Sequence, residues 1–429
     1  MKNFLKLTNT SYRYFNTKSN TDSFEIFSNI YQNKDPLVFP NFDNFNITMI
    51  KSNTRSMHLD VDKIKNLTLE IEKLNKEKIE FLGKKAYFVE KYIETKVSSA
   101  EAIVIRKKLQ SINSQNTQKQ NELKEILLSI PNITSHKPSV NWGIMPEITV
   151  IPCEKILNIK NDEDLNLFVK SFEGFPLKFI DGDLALSKYI MLEDAYDWWI
   201  DSNFIPVSLT DISTTPVVKC LDNDILKANI ALTNSRITTT IEDLPPSDVH
   251  FLKGSASLSA YCSYFLRTKT TSKSLPVRLV TLGNKYENNA GLISQTSMIS
   301  AFLASSTNEC MTKELNEFLD KLKVFYLKHF NLSLIAECAA YDELCSWEAF
   351  RYTLSTNQRE KITLAKVSVI NDYISRRLMI SDTSNQYLHM VYAEVLSFES
   401  LLNFTKRNNE CITYNFDLKW MSNFNINKK

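Results

Sequence analysis

Two apolar runs, Val277–Leu282 and Met298–Leu303, are separated by a polar stretch containing Gly283, Asn284, Asn288, Asn289 and Gly291. β-Branched apolar runs bounded by Gly and Asn predict a strand, a polar loop and a returning strand. A different rhythm fills the first third. From Asp62 to about Thr95, Ile64, Leu67, Ile71, Leu74 and Phe81 recur at three- and four-residue steps, which predicts an amphipathic helix. A second helix is expected from about Ser99 to Ser129, with Ile105, Leu109, Ile112, Leu123, Ile126 and Ile130 in heptad register. Asn116 and Lys119 interrupt that seam, so its middle is polar. The short connection near residues 97–99 makes the pair an antiparallel hairpin.

Residues 22–60 show few regularities, and 144–235 alternate between strand-like and helix-like runs. Within the latter, Gly182–Phe204 is amphipathic, with Leu184, Leu186, Ile190, Leu192, Ala195 and Trp199 as its apolar positions. Ile205–Asp211 is expected to be a strand, and Leu332–Cys338 a buried one.

Composition narrows the picture. A chain of 429 residues predicts two to three domains, and 43% hydrophobic residues suffice for a substantial core. Net charge is +2, from 51 basic and 49 acidic residues, so any nucleic-acid surface has to come from local clustering. The seven cysteines, Cys153, Cys220, Cys262, Cys310, Cys338, Cys345 and Cys411, include no CxxC pair. Zinc-ribbon and thioredoxin chemistry are thereby disfavoured, and reduced, mostly buried thiols are expected. No apolar run reaches membrane-spanning length. His58, His136, His250, His329 and His389 are dispersed, without metal or triad spacing, so no metal site is expected.

Residues 1–21 carry Lys2, Lys6, Arg13 and Lys18, hydroxyls and aromatics, and no acid. That composition describes a mitochondrial transit peptide, cleaved near Phe15–Ser19, or else a mildly basic disordered terminus. Lys84, Lys85, Lys91, Lys96, Arg106, Lys107 and Lys108 crowd the distal half of the hairpin. They suit phosphate contact with structured RNA. Glu80, Glu90, Glu94 and Glu101 among them suit an ordinary solvated surface equally.

The order of these stretches resembles the seryl branch of the class II aminoacyl-tRNA synthetases. Leu275, Pro276, Val277 and Arg278, then Ala290 and Gly291, keep the frame of motif 2. Ser129–Ile133, Pro138, Ser139, Val140 and Gly143 match the junction that follows the tRNA-binding arm. Gly182–Phe204 resembles the motif 1 helix, and Ala228–Asn234 the loop that binds the amino acid. Ser375-Arg376-Arg377-Leu378 matches the family's SRRL, and Tyr387–Leu402 resembles motif 3. Softer matches put the family's YD(L/I)E on Phe350–Thr353 and its CSN triplet near Val367–Val369.

The resemblance implies an α+β fold, a class II antiparallel sheet flanked by helices, with an N-terminal antiparallel two-helix coiled-coil arm. The expected division is a transit peptide at 1–21, an N-terminal domain with the arm at 22–130, and a degenerate catalytic-like domain at 131–429. Degenerate is the operative word. The motif 2 Phe-Arg-Arg-Glu is replaced by Tyr286, Glu287, Asn288 and Asn289. Lys227 and Asn229 stand where the family's amino-acid loop has Thr and Glu, and Ser400 where motif 3 has Arg. Activating an amino acid attacks an α-phosphate, whose growing charge needs a fixed cationic fork. One lost donor of that kind costs roughly 3–4 kcal/mol. Glu394 and Glu399 are expected to add negative charge near motif 3.

The pattern resembles the seryl-tRNA synthetase-like insect mitochondrial proteins, catalytically inert paralogues of the enzyme. That resemblance implies no cofactor, a mitochondrial matrix location and, as partner, the active mitochondrial seryl-tRNA synthetase in a heterodimer. A mitochondrial serine tRNA is the candidate nucleic-acid partner. Leu184, Leu186, Ile190, Leu192 and Trp199 would form the dimer interface. Two other function classes stay open: a divergent active serine–tRNA ligase, and an RNA-binding or protease-adaptor protein outside translation.

Overall fold

The computed structural model describes residues 26–28, 61–95, 100–132, 134, 169–172, 175–221, 230–233, 249–289, 292–356 and 361–408. The transit-peptide segment, Lys96, Lys227, Asn229, Pro138–Gly143, His58, His136, Cys153 and Cys411 lie outside these residues. So do the side chains of Lys91 and Asn289.

In chain order, strand β1 (Ile26–Ser28) precedes the hairpin helices α1 (Val61–Thr95) and α2 (Ala100–Ser129). Strands β2 (Val169–Phe172) and β3 (Phe175–Ile180) lead into α3 (Gly182–Asp201), β4 (Ile205–Pro206), β5 (Ile212–Thr214) and α4 (Thr215–Leu221). Then come β6 (Ile230–Thr233), β7 (Val249–Leu252), α5 (Leu258–Phe265) and β8 (Thr268–Thr270). The long strands β9 (Val277–Asn289) and β10 (Leu292–Ser305) precede α6 (Asn308–Phe330), β11 (Leu334–Cys338), β12 (Phe350–Thr356) and β13 (Thr363–Asn371). The described chain ends with α7 (Tyr373–Leu378), β14 (Ser381–Asp382), β15 (His389–Ser397) and α8 (Phe398–Asn408).

Both expected arm helices are present and pack antiparallel. Ile64 and Leu67 of α1 and Ile105, Leu109 and Ile112 of α2 are buried in the seam. The polar middle is satisfied across it: Asn116 donates to Asn75 at 2.8 Å, and Lys119 pairs with Glu70 at 2.8 Å. Lys63 and Glu122 close the base at 3.0 Å. The arm is tied down where it ends. Asn132 donates its side-chain amide to the carbonyls of Trp347 (2.9 Å) and Ile370 (2.7 Å), and its backbone N–H to Ser346. The carbonyl of Ile130 accepts from Tyr373 at 3.0 Å and from Arg377 at 3.1 Å. Two separate stretches of the family resemblance, 129–133 and 375–378, therefore meet at one joint.

The body is built on a seven-stranded sheet of order β11-β12-β13-β15-β10-β9-β4. All neighbours are antiparallel except β4, which pairs parallel to β9, so the sheet is mixed by one strand. Strand alternation gives the sheet two faces. Val280, Ala301, Val391, Ala393 and Val367 join the aromatic core supplied by α3, α6 and α8. Leu279, Phe302, Met390 and Tyr392 join the second core with α4, α5 and α7.

Four expectations change. The expected polar loop between the apolar runs is strand: β9 continues through Gly283, Asn284 and Asn288 to Asn289, and β10 resumes at Leu292. Its cross-strand register is unbroken from Val277↔Ala304 to Asn289↔Leu292. Backbone pairing carries the ribbon past the end of the core, where polar side chains suit both half-exposed faces. Ile205–Asp211 is strand only at Ile205–Pro206. Leu184, Leu192, Ala195 and Trp199 point into this chain's own core, with Trp199 fully enclosed by Phe204, Phe318 and Phe325. Buried side chains offer nothing to a second subunit, and Ile190 is half-buried against the same core. Among the expected interface residues only Leu186 is exposed, at 58%, joined on α3 by Tyr189 at 68%. Of the described cysteines, Cys220 and Cys262 are buried, but Cys310 and Cys345 are exposed.

Candidate functional site

The sheet face shared with the second core carries apolar residues over one half and charge over the other. On β9 the alternation places Leu279, Thr281, Gly283, Lys285 and Glu287 on this face. On β15 it places Met390, Tyr392 and Glu394 there, and the register sets Lys366 of β13 opposite Glu394. The strands expected to match motifs 2 and 3, β10 and β15, are direct neighbours although well separated in sequence.

Lys285 is the centre of the charged half. Its Nζ lies 2.5 Å from Glu394 Oε1 and 2.6 Å from Glu287 Oε1. Lys366 Nζ approaches Glu394 Oε2 at 3.8 Å. Burial disfavours charge on Lys285, but the carboxylates of Glu394 and Glu287, together with Tyr392, outweigh it and hold its pKa well above the usual value. Burial likewise works against ionised Glu394, and Lys285 and Lys366 more than offset it, so this carboxyl titrates below its ordinary range. Farther along, Arg351 donates to Glu348 Oε2 at 3.1 Å, and Ser368 donates to the other oxygen of Glu348. Three cations (Lys285, Lys366, Arg351) thus face Glu394, Glu287 and Glu348, with the exposed Glu343 a fourth carboxylate 4.0 Å from Arg351, so the cluster holds no surplus positive charge.

The apolar half is filled by α5. Tyr261 stacks on Phe302 at 5.1 Å and donates to the Ser300 carbonyl, while Tyr392 donates to the Ala256 carbonyl at 2.8 Å. The loop before α5 is clamped onto β9: Ala256 N–H donates to Asn284 O, and Tyr286 N–H to Lys253 O. From the other side, Asp211 O accepts from Lys253 and Gly254 N–H at 2.9 Å, and Asp211 Oδ1 accepts from Ser255 N–H at 2.7 Å. Two glycines make this fit possible. Gly254 sits at φ +90° with its missing Cβ 2.0 Å from Asn284 O, and a Cβ on Gly283 would lie 2.2 Å from Ser255 Oγ.

The sequence-derived site residues are only partly brought together. Glu287 belongs to the cluster, and Asn288 faces the opposite side of the ribbon. Asn289 closes β9. Ser400 lies in the first turn of α8, its N–H donating to Ser397 Oγ at 3.2 Å. The expected negative charge near motif 3 is cancelled within the chain. Glu394 meets the two lysines, and Glu399 pairs with Lys188 of α3 at 3.2 Å while accepting from Ser297 N–H. Lys285, Lys366 and Arg351 were not among the residues singled out. No apolar–polar alternation marks Lys285 in the sequence, so its stretch reads as a loop. On the arm, Lys84 pairs with Glu80 at 2.6 Å, and Lys85, Arg106, Lys107 and Lys108 are exposed. Among the described residues no helix is long and apolar enough to cross a membrane.

No protein-family model matches the chain, and no curated protein matches it. Solved structures do. The chain is similar to a cytoplasmic serine–tRNA ligase from Naegleria fowleri, crystallised in complex with AMP, with a TM-score of 0.65 at 16% identity. That match covers 86% of this chain and 91% of the other. It is also similar to a seryl-tRNA synthetase from Pyrococcus horikoshii complexed with ATP, with a TM-score of 0.62 at 14% identity, covering 83% and 93%. At such identity the likeness speaks for architecture: this chain has the fold of the seryl-tRNA synthetases.

Proposed function

We propose that this protein is a non-catalytic, seryl-tRNA synthetase-like subunit of the mitochondrial matrix, an inert paralogue of the kind found in insects. In this reading it pairs with the active mitochondrial seryl-tRNA synthetase and stabilises or regulates it, with a mitochondrial serine tRNA as a further contact of the arm. The observation that carries the reading is the self-paired charge cluster. On the face where an adenylate-forming site would need a free cationic fork, Lys285 and Arg351 are committed to carboxylates of their own chain. Position 287 supplies a carboxylate and position 400 a hydroxyl. A carboxylate repels charge growing on a phosphate, and a hydroxyl offers one neutral donor in place of a charged fork. The pairing half of the reading leans on Leu186 and Tyr189 of α3 and on Ile205 of the edge strand β4, all exposed.

Two measurements on purified protein test it. Serine-dependent ATP–pyrophosphate exchange is expected to be absent, and exchange that disappears when this chain is mutated would make it a divergent ligase instead. Native mass measurement after co-expression with the mitochondrial enzyme is expected to give a one-to-one mixed species. Two separate homodimers would sink the pairing.

A further inference from the structure

The charged half of the sheet face holds more than packing requires. Glu394 sits on β15, and its two oxygens face cations from strands on either side, Lys285 on β9 and Lys366 on β13. The carboxylate sits between two ammonium groups as a bound anion would, hydrogen-bonded to Lys285 and within ion-pair range of Lys366. We propose that this face is a self-liganded anion site, in which Glu394 takes, from within the chain, the place of a phosphate-type anion between Lys285 and Lys366.

The inference rests on the inert reading above and deepens it, because it names what keeps the site shut. An internal carboxylate loses no translational freedom on binding, so a weak external anion cannot compete with it. Its charge matches one ammonium, and Glu287 supplies the match for the other cation. With Glu394 neutralised, Lys285 and Lys366 together outnumber Glu287. The surplus positive charge, half-buried at Lys285, exposed at Lys366 and held on two strands, then suits inorganic pyrophosphate, a small anion with several oxygens.

The test is thermal unfolding of the full chain at low salt, with and without inorganic pyrophosphate. Wild type is expected not to respond. Glu394→Gln is expected to melt lower in buffer and to recover by about 2–4 °C with pyrophosphate, the shift of roughly one kcal/mol of linkage. Raising the salt is expected to remove that recovery. Adding Lys285→Met to Glu394→Gln is expected to abolish it. If Glu394→Gln does not fold, Glu394→Ala removes the charge in its stead and is expected to show the same recovery. An unresponsive Gln variant, or Ala variant where Gln does not fold, overturns the proposal, as does a wild type that responds equally. A response that survives Lys285→Met marks an adventitious ion only, and also overturns it. Exchange activity in wild type would count against the inert reading and leave this test untouched.

Discussion

Gly254 is a position where one hydrogen atom decides the geometry of the site's rim. Its positive φ and its contact with Asn284 O leave no room for a methyl group against a backbone atom. Gly254→Ala is expected to cost about 1–3 kcal/mol, from the strained φ and the displaced clamp. Urea unfolding checks this, and an unchanged midpoint would mean that the loop moves aside freely. Glu394 makes a second expectation at this scale, in pH. Its folded pKa lies below the unfolded value of 4.5, so its contribution is complete above that value and is lost as pH falls through the folded pKa. The stability gap between wild type and Glu394→Gln should therefore close on acidification. Unfolding titrations from neutral pH to about pH 3 would show it, and a gap that stays constant would detach the ion pair from stability. Both residues were poorly legible. A Gly followed by Ser, Ala and Ser reads as any turn, and Glu394 reads as surplus acid until the register brings a lysine two strands away onto it.

Elements were far more legible than residues, for a physical reason. The arm helices announce themselves because a two-helix seam demands apolar side chains at three- and four-residue steps over their whole length. The outer half of β9 and β10 announces nothing, because a ribbon with two half-exposed faces has no reason to alternate apolar and polar. Asn284, Lys285, Tyr286 and Glu287 look like a loop and pair like a strand. The joint between arm and body belongs to this scale as well. Asn132 spans it with two side-chain hydrogen bonds to the body, one fully buried. Asn132→Ala leaves the Ile370 and Trp347 carbonyls without that donor, at an expected cost of about 1–3 kcal/mol. Limited proteolysis should cut the variant sooner between arm and body. Equal cleavage rates would show that Tyr373 and Arg377 hold the joint unaided.

At the scale of the molecule, the sheet order makes remote strands neighbours, and hydrophobic period alone does not reveal that order. It had to be supplied by the likeness of several short stretches to a known architecture. The same likeness suggested an interface on α3, and the fold trims it to the side of the helix that the core does not claim. Leu186→Glu with Tyr189→Glu is expected to abolish the proposed pairing with a mitochondrial seryl-tRNA synthetase while leaving unfolding within about 0.5 kcal/mol, since both side chains are exposed. Trp199→Ala is expected to do the reverse, costing about 3–5 kcal/mol through the cavity it opens. Pull-down and unfolding on both variants separate the two roles. The self-paired cluster, finally, shapes the routes by which this sequence could change. Removing any one of Lys285, Glu394 or Glu287 leaves a half-buried charge short of its counterpart. Single substitutions toward an exposed cationic site therefore pass through less stable proteins, and only coordinated changes avoid the dip.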